Sequence, residues 1–344
     1  MKALVIHAEK DLRIEQREPE APGPGEISIK MARGGICGSD LHYYNHGGFG
    51  TVRIREPIIL GHEVSGFVEN IGEGVEDFAV GDLVAASPSR PDWNDEYAQE
   101  GMPHHSLGMR FYGSAMPTPH IQGAFREHLV AKAEHCVKAN GLTPGEAAMT
   151  EPLSVVLHGV HRAGEVLGKR VLVTGCGPIG CLTILALRRA GAAEIVATDI
   201  SDTALAHAKS CGADRIINTM SKPEDLAAYE TNKGYFHILM ECSGAAPAVL
   251  GALPTLRPQG ILLQLGLGGD IQIPMNFIVA REVEIRGSFR FHFEFPKAVE
   301  LMQKRLIDVR PLITHDFPLD EFMAAFAMAN DRSEAMKVQL VFNE

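Results

Sequence analysis

Apolar residues recur along this chain in two different rhythms. Up to about residue 86 they come in short runs, ALVIH, DLRIEQRE, EISIKMA, HEVSGFVENIG and DLVAA, separated by Gly, Pro and Asp. Short runs bounded by turn residues predict strands and their connections, so this stretch reads as mostly β. Residues 87–111, SPSRPDWNDEYAQEGMPHHSLGMRF, are polar, carry the only tryptophan and follow neither a helical nor a strand period. They predict a lobe or long loop. FREHLVAKAEHCVKA then resumes strand character.

From residue 169 the rhythm changes. KRVLVTGCGPIGCLTILALRRAGAAEIVATDISDTALAHAKSCGADRIIN alternates strand, helix, strand, helix, strand, the pattern of a parallel sheet with crossover helices. FHILMECSG and GILLQLG predict two further buried strands with APAVLGALPTLRP as the helix between them. After about residue 288 the alternation stops. FPKAVELMQKRLID and DEFMAAFAMAND predict amphipathic helices, and AMKVQLVF predicts a final strand that rejoins the N-terminal β region. The expected fold class is α/β, with residues 1–149 and 288–344 forming a mostly β domain and residues 150–287 a doubly wound parallel-sheet domain inserted into it. Only VLVTGCGPIGCLTILAL, residues 171–187, has membrane-like hydropathy, and its GCGPIG interruption reads better as a strand–turn–helix.

Composition narrows the class. A chain of 344 residues exceeds the length one core usually supports, which agrees with two domains. A net charge of -11 argues against nucleic acid or an anionic membrane as partner and favours a small molecule. The six cysteines, at 37, 136, 176, 181, 211 and 242, form no dense framework and no CxxC pair. Reduced thiols and a cytoplasmic setting are therefore expected. MKALVIHAEKDLRIEQRE becomes charged too early for a secretory signal.

GCGPIG, Gly175 to Gly180, matches GxGxxG with a predicted strand before it and a helix after it, the context in which that spacing binds a dinucleotide. Gly175 serves the tight turn, Gly177 the approach of a pyrophosphate, and Gly180 the packing of helix on sheet. Pro178 suits the first helical position, and Ile179 continues the turn whose free N–H groups face the phosphates. Asp199 ends the next strand 19 residues after Gly180, where a carboxylate hydrogen-bonds an adenosine ribose and repels a 2′-phosphate. No Arg or Lys lies between Asp199 and Lys209, so NAD is expected over NADP. Taken alone, Asp199 reads equally as a cap or loop residue.

A second group has metal-ligand chemistry. Cys37 lies in RGGICGSDLHYY, His62 and Glu63 in LGHEVSG, and Glu151 in TEPLSVVLHG. Thiolate, imidazole and carboxylate together make a catalytic zinc set with an open position. Each has an alternative. Cys37 alone reads as a small buried hydrophobe, Glu63 as an exposed strand carboxylate, and Glu151 as a first-turn acid favourable to a helix dipole.

GGICGSDLHYY, PIILGHEVSG, GDLVA, EPLSVVLHG, VLVTGCGPIG and RGSFRF together resemble the zinc-dependent medium-chain alcohol dehydrogenases, specifically the sorbitol and polyol branch, over the whole chain. The resemblance implies a GroES-like catalytic domain with a Rossmann NAD-binding domain. It implies that Cys37 and His62 hold one catalytic zinc, with Glu63 and Glu151 completing the shell directly or through water. Asp40 is similar to the aspartate that orients the zinc histidine. Ser39 and His42 match the proton-relay positions, His42 being otherwise a surface histidine. Tyr43 and Arg290 resemble substrate-pocket positions. Leu265, Gly266, Leu267 and Gly268, with Ser288, Phe289 and Arg290, resemble the segments flanking the nicotinamide.

RGGICGSDLHYY, MRFYGSAMPTPHIQGAF, GSFRF and KVQLVF resemble most the subgroup that oxidises a sugar acid, with L-idonate as the expected substrate and Arg290 as the grip on its carboxylate. Neutral polyols such as sorbitol or xylitol are the alternative. A non-catalytic nucleotide-binding protein of the same fold is the remote one. The resemblance also implies a homotetramer. Many relatives bind a second, structural zinc through four cysteines in the lobe, but no cysteine lies between Cys37 and Cys136 here. One zinc per chain is expected, with Trp93 and Tyr97 as candidates for filling the lobe.

Overall fold

The computed structural model describes residues 1–343. The chain divides into two compact units, the first made of Met1–Ser154, Phe291–Asp331 and the C-terminal segment from Lys337, the second of Val155–Arg290 with Arg332–Met336.

The first unit is built around strand Glu26–Gly35, whose residues are buried almost throughout. It pairs antiparallel with Glu63–Ile71, with His128–Lys132 and with the C-terminal strand Lys337–Val341. These strands belong to a seven-stranded sheet that Leu83–Ala86, Cys136–Lys138 and Ile313–Pro318 complete. Ile27, Ile29 and Met31 are fully buried, so burial of this strand anchors the sheet. Register then brings distant residues together. Gly35 pairs with Glu63 and Gln339 with Gly35, which sets the residues after Gly35, the His62–Glu63 corner and Lys337 side by side. A smaller sheet of Lys2–Ala8, Asp11–Gln16 and Ile58–Ile59 accounts for the first predicted strands.

Helix Gly38–His46 follows directly, capped at its end by Gly47 with φ 64°. The hydrophobic pattern does not announce it, because only Asp40 and Tyr43 of its residues are buried and no apolar stripe results. Strand Ile313–Pro318, parallel to Lys337–Val341, is also absent from the expected elements.

The second unit holds a six-stranded, wholly parallel sheet in the order Arg215–Asn218, Glu194–Asp199, Arg170–Thr174, Phe236–Glu241, Leu256–Gln264, Glu284–Gly287. Val171, Leu172, Val173, Ile195, Val196, Leu239 and Met240 are fully buried, as expected for strands covered on both faces. Helices Pro178–Arg189, Asp202–Ser210 and Ala246–Ala252 supply crossovers. Chain order reverses between Arg170–Thr174 and Phe236–Glu241, which makes the carboxyl ends of those strands the topological switch point where such sheets bind ligands. The sixth strand, EIRG, is mostly exposed at the sheet edge, too short and polar to be read from the sequence.

The lobe contains a short helix, Glu96–Gln99, and a 3₁₀ turn, Pro103–His105. The two aromatic residues expected to fill it do not. Trp93 and Tyr97 are 46% and 37% exposed, with Trp93 edge-on to His292 at 5.2 Å between ring centres. Short polar side chains hold the lobe instead. Asp95 Oδ1 accepts from Ala98 N at 3.0 Å, its Oδ2 accepts from the Ser106 hydroxyl, and Ser106 Oγ accepts from Asp92 N at 2.9 Å. Among the described residues, no helix is long and apolar enough to cross a membrane.

Candidate metal centre and cofactor cradle

The donor atoms of Cys37, His62 and Glu63 lie within 4.8 Å of one another. Cys37 is the N-cap of helix Gly38–His46, and its sulfur receives the Ser39 N–H, a contact that by itself lowers the thiol pKa but is outweighed by burial. His62 is 6% exposed and Glu63 1%. Glu151, in the first turn of helix Thr150–Ala163, is outside that radius but close enough to interact electrostatically with His62, Glu63 and Cys37. Burial, reinforced by the Glu63 and Cys37 charges, pushes its carboxyl up to about 8. Burial and Glu63 likewise raise the Cys37 thiol. A sulfur, an imidazole and two carboxylates so desolvated are suited to a borderline-soft divalent cation such as zinc.

The Asp40 carboxylate is anchored by main-chain N–H groups. Its Oδ2 accepts from Cys37 N at 3.0 Å and its Oδ1 from Gly61 N at 3.3 Å, and among the described residues it makes no hydrogen bond to the His62 ring. Its carboxylate therefore ties together the two main-chain segments that carry Cys37 and His62. Burial is the largest influence on Asp40 and raises its pKa, against the His62 interaction and these two bonds.

Lys337 was not legible as a site residue. Its Nζ donates to Glu63 Oε1 at 2.8 Å and Oε2 at 2.7 Å, and to Ile36 O at 3.3 Å. Burial alone would lower its pKa, but Glu63, Cys37 and Glu151 carry it upward. The only hint in the sequence is the alternation KVQLV, which puts two polar residues, Lys337 and Gln339, on one face of a strand buried from end to end but for its last residue.

Ser39 is half-buried, and His42 is exposed one turn further along the same helix. The His42 ring lies 5.9 Å from Phe49. Tyr43 is 2% exposed, with its hydroxyl oxygen accepting from Ala115 N at 3.0 Å.

The cofactor residues form a cradle in the second unit. Gly175 turns with φ 81°, and Gly177 is the N-cap of the helix that Pro178 opens and Ile179 continues. A Cβ on Gly180 would fall 1.8 Å from Gly175 O, so only glycine permits the turn to close on the helix. A Cβ on Gly177 would meet nothing within 4 Å, leaving open space at the helix N-terminus. Asp199 accepts from Cys176 N at 2.6 Å, Ile200 N at 2.7 Å and Ser201 N at 2.9 Å, which fixes the carboxylate against the glycine-rich turn. Leu265 is buried, Gly266 half-buried and Leu267 72% exposed. Ser288 Oγ is buried with no hydrogen-bond partner among the described residues, an orphan that a bound polar ligand would satisfy. Phe289 is 38% exposed. Arg290 adopts left-handed backbone, φ 54°, with its guanidinium 4.8 Å from the Phe289 ring centre. Open helix N-terminus, ribose-type carboxylate, switch point and orphan hydroxyl fit a nicotinamide dinucleotide.

Comparison with known proteins shows the family. Residues 23–141 match the alcohol dehydrogenase GroES-like domain model and residues 178–304 the zinc-binding dehydrogenase model. The chain is 37% identical to the L-idonate 5-dehydrogenase (NAD(P)(+)) of Escherichia coli (strain K12), covering 99% of this chain and 98% of that protein. It is 38% identical to the sorbitol dehydrogenase of Gallus gallus over 98% of this chain and 95% of the relative. The crystal structure of the Escherichia coli L-idonate 5-dehydrogenase superposes with a TM-score of 0.95, covering 99% of this chain and 98% of that one. The chain belongs to the zinc-dependent medium-chain alcohol dehydrogenase family, in the branch of the idonate and sorbitol dehydrogenases.

Proposed function

We propose that this chain oxidises a secondary alcohol of a sugar acid, L-idonate to 5-dehydro-D-gluconate, with NAD and one zinc ion per chain. The observation that carries the metal half is the convergence of Cys37, His62 and Glu63 within 4.8 Å. Cys37 and His62 would hold the ion, with Glu151 and Glu63 completing the shell directly or through water. When bound, the zinc polarises the substrate hydroxyl and the nicotinamide accepts the hydride.

The chain's own residues do the rest. Ser39 accepts the proton that the alcohol loses as it becomes a ketone, and His42, one helical turn away, passes it to solvent. Asp40 and Lys337 hold the ligand-bearing segments and Glu63 in place. Asp199 receives ribose hydroxyls and disfavours a 2′-phosphate, which supports NAD over NADP. The sugar-acid substrate rests on the 37% identity to an L-idonate dehydrogenase over 99% of the chain. It rests also on the suitability of the Arg290 guanidinium for a bidentate grip on a carboxylate. The six free cysteines agree with a cytoplasmic setting, and family resemblance supports a homotetramer. The sorbitol dehydrogenase at 38% identity favours neutral polyols as the second reading.

Arg290→Ala tests the substrate half. The proposal expects kcat/KM for L-idonate to fall about tenfold or more, as for loss of a charge-assisted pair, with kcat/KM for sorbitol changed much less. An equal loss on both substrates would remove the carboxylate grip.

A further inference from the structure

Glu241 is a buried ionisable group that the chemistry above does not use. It is the last residue of strand Phe236–Glu241 and is 0% exposed. Each of its side-chain contacts is a donor. Oε1 accepts from Ser243 N at 2.8 Å, from the Ser243 hydroxyl and from Thr174 Oγ1 at 3.3 Å. Oε2 accepts from Gly244 N at 2.9 Å and Gln264 Nε2 at 2.6 Å.

These donors come from the carboxyl ends of three adjacent strands. Thr174 ends Arg170–Thr174 and Gln264 ends Leu256–Gln264, and Glu241 lies between them across the switch point. Gln264 Nε2 also donates to Gly266 O at 2.8 Å, and Leu265 N and Gly266 N donate to Glu241 O at 2.8 and 2.9 Å. The loops so joined are interlocked. A Cβ on Gly266 would fall 2.2 Å from Gly244 N and 2.8 Å from Glu241 Oε2, and one on Gly268 would fall 1.9 Å from Gly244 O. On the other side, a Cβ on Gly175 would lie 2.8 Å from Ser243 Cβ, so the same loop abuts the first glycine of the dinucleotide turn.

We propose that Glu241 is the positioning residue of the cofactor site: its buried carboxylate locks the Ser243–Gly244 and Leu265–Gly268 loops to the switch point and thereby sets affinity for the nicotinamide dinucleotide. The inference rests on the reading of the second unit as an NAD site. Its physical basis is that a neutral amide in place of the carboxylate turns an N–H group toward a cluster of N–H and O–H donors, and the loops separate. Removing only the Gln264 amide leaves the carboxylate but cuts its link to Gly266.

The test is NADH binding to the full-length protein, by fluorescence titration, for wild type, Glu241→Gln and Gln264→Leu. Melting temperature, bound zinc and the KM for NAD against kcat are measured in parallel. The expected result is a Kd for NADH raised about tenfold or more in Glu241→Gln and by a smaller factor in Gln264→Leu. Zinc content stays at the wild-type value, and KM for NAD rises more than kcat falls. A merely structural carboxylate would lower the melting temperature and leave cofactor affinity alone; that outcome overturns the inference. If Glu241→Gln does not fold, an unchanged Kd in Gln264→Leu overturns it. Failure of the wild type to bind NADH would overturn the cofactor reading itself, and this inference with it.

Discussion

Lys337 and Glu63 are 3% and 1% exposed, and each neutralises the other where water cannot. Breaking such a pair from one side leaves an uncompensated buried charge, at a cost of about 3–5 kcal/mol. Lys337→Met in the metal-free protein should therefore lose about that much stability in equilibrium denaturation, and Lys337→Met with Glu63→Gln should recover most of it. An unchanged single variant would mean that Glu63 finds another partner. Protonation couples to the metal at the same place. In the metal-free chain Glu151 is raised from its ordinary value to about 8, so its contribution to stability is full below the unfolded value and is lost as pH climbs toward 8. On the proposed ligand assignment, zinc would take the place of that proton and of the Cys37 thiol proton. The rise in melting temperature on adding zinc should accordingly grow from pH 5.5 to 7.5, and a rise independent of pH would contradict the ligand assignment. Among these residues, Cys37, His62, Glu63 and Glu151 could be proposed from residue type and resemblance. Lys337 could not, because a lysine in a terminal strand is ordinarily exposed and only the register with Gly35 buries it.

Elements were legible in proportion to how strongly their burial is patterned. The strands around Val171–Val173, Ile195–Ala197 and Ile238–Met240 are continuous apolar runs covered on both faces, and such runs read directly from sequence. Helix Gly38–His46 was not legible, since it is organised by a cysteine cap and an aspartate in its first turn rather than by an apolar stripe. The lobe shows the converse. Its aromatic residues suggested a small core, yet Trp93 and Tyr97 lie toward solvent and hydrogen bonds to main-chain groups do the fastening. The Ser106 hydroxyl joins Asp95 to Asp92 N, two partners 11 and 14 residues away. Ser106→Ala should release the turn around Pro103–His105, read as faster limited proteolysis within residues 92–108, with zinc content and turnover little changed. Wild-type resistance in that variant would place the fastening elsewhere.

At the scale of the whole molecule, the ligand set and the dinucleotide cradle are each assembled within one compact unit, from segments far apart in sequence. Cys37 and Lys337 are 300 residues apart by number yet both approach Glu63. The sequence's alternation of rhythms, its GxGxxG context and its family resemblance were enough to expect this organisation. What they could not supply is the shape that distinguishes a sugar acid from a neutral polyol, because the roles proposed for Arg290 and Tyr43 depend on orientation and not on residue type alone. Initial rates of NAD reduction with L-idonate, sorbitol and xylitol in parallel, each repeated after chelation and after zinc restoration with bound zinc counted in the same sample, test the central claim most directly. The account predicts preference for L-idonate, loss of activity on chelation, recovery with zinc and one zinc per chain; turnover that survives chelation with no zinc bound would contradict it.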